Sequence, residues 1–309
     1  MRCGILGTIM EESPNPCCPL CLQTESSLAF EAQGFSHRRC RGCGTLYLHP
    51  APSQEDLEAL YRSETKAPQC QGCWDAEPVH MRSLWRRVLG QADRLVGKGP
   101  LLDVGCGSGH FLSFARQQGW EELHGLEIAP VPASRAREAS AATIHEQGFL
   151  QHQFGDLRFH LITLWSVFEH FAWPDALLKR CRQILTPGGV LVLDTPHGQG
   201  LSLRLFKEKT VVVTPPEHIV YPSIPGMKSL LERAHFSPKA LETSVIYLGQ
   251  LASTAHSLGS TQENASAAYT RWYTRLTQSS VFLFATHVVN ALLRLLRLGD
   301  QLTVVAVKR

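Results

Sequence analysis

Ten cysteines stand at positions 3, 17, 18, 21, 40, 43, 70, 73, 106 and 181, eight of them before residue 75. Cys18-Pro19-Leu20-Cys21 and Cys40-Arg41-Gly42-Cys43 are C-x2-C knuckles with eighteen residues between them, a spacing that belongs to four-thiolate zinc sites. A tight turn puts both thiolates of a knuckle on one side, and Zn2+ gathers four of them tetrahedrally at about 2.3 Å. Cys18, Cys21, Cys40 and Cys43 would fill every coordination position, so the expected metal is structural. Cys17 stands in for Cys18 if the register slips by one residue. A third knuckle, Cys70-Gln71-Gly72-Cys73, has no partner pair and reads as loop thiols.

A second cluster of chemically useful residues follows. Leu101-Leu102-Asp103-Val104 reads as a short buried strand running into Gly105-Cys106-Gly107-Ser108-Gly109, with a helix beginning at His110. Open α/β sheets bind nucleotides at such a glycine turn. A dinucleotide loop would carry G-x-G-x-x-G and aim a helix N-terminus at a pyrophosphate. Here the third glycine comes one residue early, and His110 takes its slot. Asp103, just before the loop, repels phosphates and attracts a cation or a hydroxyl. The ligand that suits this turn is a nucleoside with an amino-acid tail and no phosphate.

The segment from Leu101 to Gly109 resembles the first motif of the class I S-adenosylmethionine-dependent methyltransferases, and the order of the later segments strengthens the resemblance. Leu123-His124-Gly125-Leu126-Glu127-Ile128 reads as a second strand ending in an acid. The Glu127 carboxylate can accept both hydroxyls of a ribose; its competing role is to cap the following helix. A third strand around Ala142-Thr143-Ile144 leads to Gln147 and Phe149, where the resemblance implies contacts to adenine. Phe159 to Leu164 is similar to a family strand that usually begins Phe-Asp, with His160 as the departure. Trp165-Ser166-Val167-Phe168-Glu169-His170 then resembles the Glu-His motif of the active-site edge. The segment LTPGGVLVLDTP, residues 185–196, is again typical. The resemblance covers about residues 100–250 and the final strand, Leu302 to Val307. It implies a Rossmann-like α/β fold with a seven-stranded sheet whose last strand is antiparallel, and S-adenosylmethionine as cofactor. The implied cofactor contacts are Asp103, Gly105, Cys106, Gly107, Gly109, Glu127, Gln147, Phe149 and Trp165. The ribbon-like start resembles a subgroup of these enzymes with N-terminal zinc-binding modules.

A sulfonium methyl moves by in-line displacement, so such an enzyme chiefly holds the acceptor's lone pair on the carbon–sulfur axis. An oxygen acceptor of high pKa also needs a base. Candidates along the sheet's carboxyl edge are His170 with its neighbour Glu169, His197 after the fifth strand, and His218. His218 lies in Thr214-Pro215-Pro216-Glu217-His218-Ile219-Val220-Tyr221, which resembles a family stretch covering the acceptor pocket. The competing reading of His218 is a proline-rich turn that satisfies backbone groups. Some ubiquinone-pathway O-methyltransferases of similar core add an earlier acid to the Glu-His pair and bind a divalent metal. Ser166 stands at that place, so no catalytic metal is expected. The function expected is methyl transfer to an O, N or C atom of a small-molecule acceptor: a metabolite, lipid or sugar. The alternative is methylation of ribosomal or transfer RNA, with His37, Arg38, Arg39 and Arg41 beside the second knuckle touching phosphates. A third reading is a binding module that keeps the fold without the activity. A formal charge of +3, with no basic stripe of interleaved aromatics, weighs against nucleic acid.

These residues need elements to hold them. At roughly 150 residues per domain, the 309-residue chain divides into a zinc-ribbon-like module over 1–50, a helical linker over 51–99 and a methyltransferase domain over 100–309. A helical insertion is expected over about 253–299. Hydrophobic content of 44% with 18% charged excludes wholesale disorder. Ser53-Gln54-Glu55-Asp56 opens a helix with Leu57, Leu60 and Tyr61 on one face. A second helix runs from about Met81 to Val96 on a stripe of Leu84, Trp85, Val88, Leu89, Ala92, Leu95 and Val96. Residues 173–186 form another. After a strand over Lys239 to Gln250, Tyr269 to Leu276 and Val281 to Leu298 read as helices. The last is apolar enough for a core, an oligomer contact, a lid or a peripheral membrane contact. No segment reaches the ~18 uninterrupted apolar residues of a transmembrane span, and the N-terminus lacks a signal-peptide core. A soluble cytoplasmic chain is expected.

Overall fold

The computed structural model describes residues 17–62, 81–244, 289 and 291–309. The loop thiols Cys70 and Cys73, the helix expected over Tyr269 to Leu276 and most of the expected insertion lie outside the described residues.

The first three strands, β1 (Ser26–Ala32), β2 (Phe35–Cys40) and β3 (Leu46–Leu48), pair antiparallel in sequence order. Helix α1 (Gln54–Arg62) starts at Ser53, whose Oγ accepts the Asp56 amide at 3.1 Å and donates to the Asp56 carboxylate at 2.6 Å. This is one half of the expected capping box, with the Asp56 carboxylate taking the Ser53 hydroxyl instead of the Ser53 amide. Helix α2 (Arg82–Val96) buries Trp85, Val88, Leu89 and Ala92. Leu95, expected on the same stripe, is 46% exposed.

Strands and helices then alternate: β4 (Leu101–Val104), α3 (His110–Gln117), β5 (Leu123–Leu126), α4 (Pro130–Ser140), β6 (Thr143–His145), β7 (Phe159–Trp165), α5 (Pro174–Ile184) and β8 (Leu185–Pro196). They are followed by α6 (Leu201–Phe206), β9 (Val220–Tyr221), α7 (Ile224–Arg233), β10 (Phe236–Ser244) and β11 (Gln301–Lys308). The seven-stranded sheet has the order β10-β11-β8-β7-β4-β5-β6. Strands β4 to β8 run parallel, and β11 runs antiparallel to both of its neighbours. This is the expected α/β sheet with its antiparallel last strand. The Pro187-Gly188-Gly189 turn, expected just before a strand, sits inside β8 instead: pairing with β7 jumps from Phe159↔Leu185 to Leu161↔Val190.

Both faces of the sheet are covered, so its strands are apolar at nearly every position. Leu101, Leu161, Val190 and Val192 pack toward Trp85, Leu89 and Phe111. Their alternating neighbours Leu102, Ile162, Leu164, Leu191 and Leu193 share a second core with Leu177, Leu178 and Leu230. The ribbon is continuous with that second core. Strand β3 pairs with β9 through Leu46↔Tyr221 and Tyr47↔Val220, and Cys18, Leu20, Tyr47 and Leu48 pack in the same cluster as Leu230. Arg233 clamps the junction, donating to both Asp175 carboxylate oxygens and to the Leu20 carbonyl.

Of the apolar stretch expected to form a helix over Val281 to Leu298, the end from residue 291 is described. There Leu293 is buried, whereas Leu292, Leu295 and Leu296 are exposed. Among the described residues, no helix is long and apolar enough to cross a membrane.

Candidate active site

Strand β4 delivers Asp103 to the carboxyl edge of the sheet, and the glycine turn carries the chain from there into α3. Gly105 and Gly109 both have left-handed backbones, with φ of +68° and +79°, a region that β-carbons disfavour. Space demands glycine there as well. A Cβ on Gly109 would lie 2.9 Å from the Ala136 backbone, and one on Gly105 would lie 2.5 Å from Val167. Around the turn opens a pocket of about 500 Å³. Its wall includes Asp103, Gly105, Cys106, Gly107, Glu127, Phe149, Trp165 and His170, eight residues that the sequence places at the site.

The pocket is lined by buried acids. Asp103 is 2% exposed and accepts the Thr163 hydroxyl at 2.7 Å. Burial, and next the Glu127 charge, push its pKa up to about 8. Glu127 bridges the turn to the next strand: one carboxylate oxygen accepts the Gly107 amide at 3.0 Å and the other the Ala129 amide at 2.8 Å. Ala129 is the N-cap of α4, so Glu127 ties the amide just before that helix, and its remaining lone pairs are still available to hydroxyls. Its pKa is raised by burial. Asp194, on the pocket wall at the end of β8, is also raised by burial, to about 7. A cation held beside these acids would draw their pKa values down again, because an opposite charge within about 4–6 Å favours the carboxylate.

Trp165 contributes an apolar wall, its ring 5.2 Å from Phe111 and 6.2 Å from Trp85. Two of the expected cofactor contacts are placed differently. Gly109 lies beneath the turn against Ala136, and the Gln147 side chain is exposed and paired with His152 at 2.8 Å. Phe149 is buried at the wall.

At the opposite rim the three expected histidines separate. His170 reaches the pocket, with Nδ1 2.8 Å from the Tyr61 hydroxyl and 3.0 Å from the Glu217 carbonyl. The His218 ring packs edge-on to it at 4.7 Å, and His218 Nδ1 lies 2.7 Å from the Val212 carbonyl. His197 is 2% exposed, turns Nδ1 to the Gly299 carbonyl, and is held near pKa 4 by burial; it does not line the pocket. Glu169 is fully buried. One oxygen accepts the Thr195 hydroxyl at 2.9 Å, the other has no hydrogen-bond partner among the described residues, and burial pushes its pKa up to about 8. A carboxyl so placed is protonated near neutral pH. Ligand atoms of Glu169, His170 and His218 all lie within 4.8 Å of one another. That is also the spacing of a cation-binding group, the third donor being His218 rather than position 166.

Sequence reasoning missed Tyr61 as a site residue, although it placed it on the inner face of its helix. No motif marks Tyr61. Ser166, which the sequence places where an earlier acid would stand, lines the pocket, and its φ of +53° just after β7 is unusual for a non-glycine residue.

The cysteine cluster is separate from the pocket. Cys18 and Cys43 sulfurs are 3.6 Å apart, those of Cys21 and Cys40 are 3.5 Å apart, and all four lie within 4.8 Å of one another. Four thiolates around tetrahedral zinc stand about 3.8 Å from each other, so this donor set fits that ion. Cys18, not Cys17, enters the group. The Cys18 hydrogen bond draws Cys43 down from the ordinary thiol value, which favours a thiolate there.

A family model described as "Methyltransferase domain" matches residues 79–240. Ubiquinone biosynthesis O-methyltransferase from Histophilus somni (strain 2336) is 32% identical over 158 residues, 47% of this chain and 63% of that protein. The enzyme of the same name from Pasteurella multocida (strain Pm70) is 28% identical over 163 residues, 47% of this chain and 64% of that protein. The chain thus spans a little under two thirds of these relatives' length. Among solved structures, magnesium protoporphyrin IX methyltransferase from Synechocystis PCC 6803 with bound SAH superposes at a TM-score of 0.54, with 13% identity over 83% of this chain and all of that one. The [4+2]-cyclase SpnF gives 0.54 at 15% identity over 84% of this chain and 98% of its own. At these identities the likeness is one of fold.

Proposed function

The chain belongs to the methyltransferase-domain family, and from that premise we propose that it transfers a methyl group from S-adenosylmethionine to a small-molecule acceptor. The observation that carries the reading is the pocket itself. One cavity joins a phosphate-averse glycine turn, the buried Asp103, the half-buried Glu127 and a histidine. Glu127 would accept the ribose hydroxyls, Gly105 and Gly107 would let the backbone approach the donor, Phe149 and Trp165 would flank it, and Asp103 would face the positive charge of its amino-acid tail and sulfonium. When bound, S-adenosylmethionine would supply the methyl group from a sulfonium whose carbon–sulfur bonding electrons stay on sulfur as a neutral thioether. His170 takes the acceptor's proton where one must leave, with Tyr61 and His218 fixing its ring. Glu169, buried and protonated, is a positioning residue rather than the base.

The four cysteines hold a structural zinc in this reading. Residues 1–50 form the metal module, 51–99 the linker and 100–309 the catalytic domain. The relatives named for ubiquinone biosynthesis support an oxygen acceptor on a small molecule.

Calorimetric titration with S-adenosylmethionine and S-adenosylhomocysteine tests the reading. Glu127→Gln is expected to weaken both by about 10- to 100-fold, the range for a hydrogen bond to a charged group. Unchanged affinity in that variant would remove the donor from this pocket.

A further inference from the structure

A second cleft, of about 370 Å³, opens between the ribbon and the residues that follow β8, and shares no lining residue with the pocket. Its polar lining is Ser27, Arg39, Gln199, Arg204 and Lys207: three cations and two neutral donors, without a carboxylate among the described residues. Phe30 and Leu203 supply an apolar wall. Arg39 stands opposite Ser27 across β1 and β2 and is half-buried. Its Nη1 donates to the Gly44 carbonyl at 3.0 Å and the Gly198 carbonyl at 2.8 Å, which pins the guanidinium in the cleft wall. Burial and the nearby Arg204 charge both disfavour its ionised form. Among the described residues, no carboxylate pairs with Arg204 or Lys207.

Three like charges brought into one concavity repel each other, and only an anion turns that cost into attraction. Guanidinium groups meet phosphate oxygens in a two-pronged fork that a single halide cannot match. Solvated surface cations usually point apart on mobile stems. Here one is fixed by two main-chain carbonyls, and the others line the same cleft.

We propose that this cleft binds the phosphate group of a phosphorylated small molecule, with the remainder of that molecule lying along Phe30 and Leu203. The site would also act on the reaction pocket. One wall is the ribbon, the other is residues 199–207, and the same stretch of chain goes on to set Glu217 and His218 against His170. A bound phosphate therefore ties the ribbon to the segment that shapes the acceptor side.

The test is calorimetry on the full chain with pyrophosphate, at an ionic strength held constant with sodium chloride. Expected is one-to-one binding at up to millimolar concentration, weakened about tenfold or more by Arg204→Ala and again by Lys207→Ala. Both side chains are exposed, so the melting transition should remain cooperative in each variant. A sugar phosphate monoester, run as a second arm, is expected to compete with pyrophosphate and to depend on the same two residues. A single-stranded RNA oligonucleotide without a terminal phosphate is the third arm. The proposal is overturned by absence of pyrophosphate binding, by equal affinity in the variants, or by RNA occupying the cleft while the monoester does not.

Discussion

Asp103 offers a direct test of how the pocket selects its guest. Burial holds its pKa at about 8, so at pH 7 the group is about nine-tenths protonated. A donor carrying an ammonium and a sulfonium favours the carboxylate. Binding must then expel about 0.9 proton per site at pH 7, at a cost of roughly 1.4 kcal/mol for the one-unit gap. The affinity for S-adenosylmethionine should rise about tenfold per pH unit between pH 6 and 7 and flatten above 8, because only the ionised form binds well. Calorimetry in two buffers of different ionisation enthalpy reads the proton count directly. In Asp103→Asn the release should fall by most of that proton, and the affinity should keep only the weaker pH dependence that Asp194 and Glu127 contribute. A wild-type protein that releases no proton, or a variant that releases as many, refutes the reasoning.

Glu169 ionises near 8 in the folded chain rather than near the ordinary 4.5, so the native state keeps a proton that the unfolded chain gives up. Stability should therefore fall as pH rises from about 4.5 to 8, by about 1.4 kcal/mol per unit for this one group; Glu169→Gln should flatten the melting-temperature profile, and parallel profiles would count against it. His170→Ala should lower methyl transfer by about 10²–10⁴-fold if it serves as the base, leaving donor affinity in place, as read by isotope incorporation from labelled donor into a metabolite extract. The purified chain should carry one zinc bound by the four cysteines, measured by mass spectrometry, and Cys40→Ser with Cys43→Ser should lose it. Stripping the ion should lower the melting temperature, since the knuckles anchor Leu20, Tyr47 and Leu48 in the core; full zinc content in the double variant would refute the assignment.

Local signals made much of this molecule legible. The glycine turn, the acid ending the second strand and the paired knuckles each encode their geometry within a few residues, because backbone sign, strand ends and thiolate spacing are short-range properties. So are the helix cap at Ser53 and the buried stripe of Trp85, Val88, Leu89 and Ala92. What no local pattern carries is which side chain meets which across the fold. Tyr61 reaches His170 across 109 residues, and β3 joins β9 across more than 170. His197 and His170 look equivalent along the chain, yet packing buries the first under Gly299 and opens the second to the pocket. The protonation of Asp103 and Glu169 likewise follows from desolvation, a property of everything folded around them. Residue types and their spacing named the chemistry; long-range packing chose among equals and set their charge.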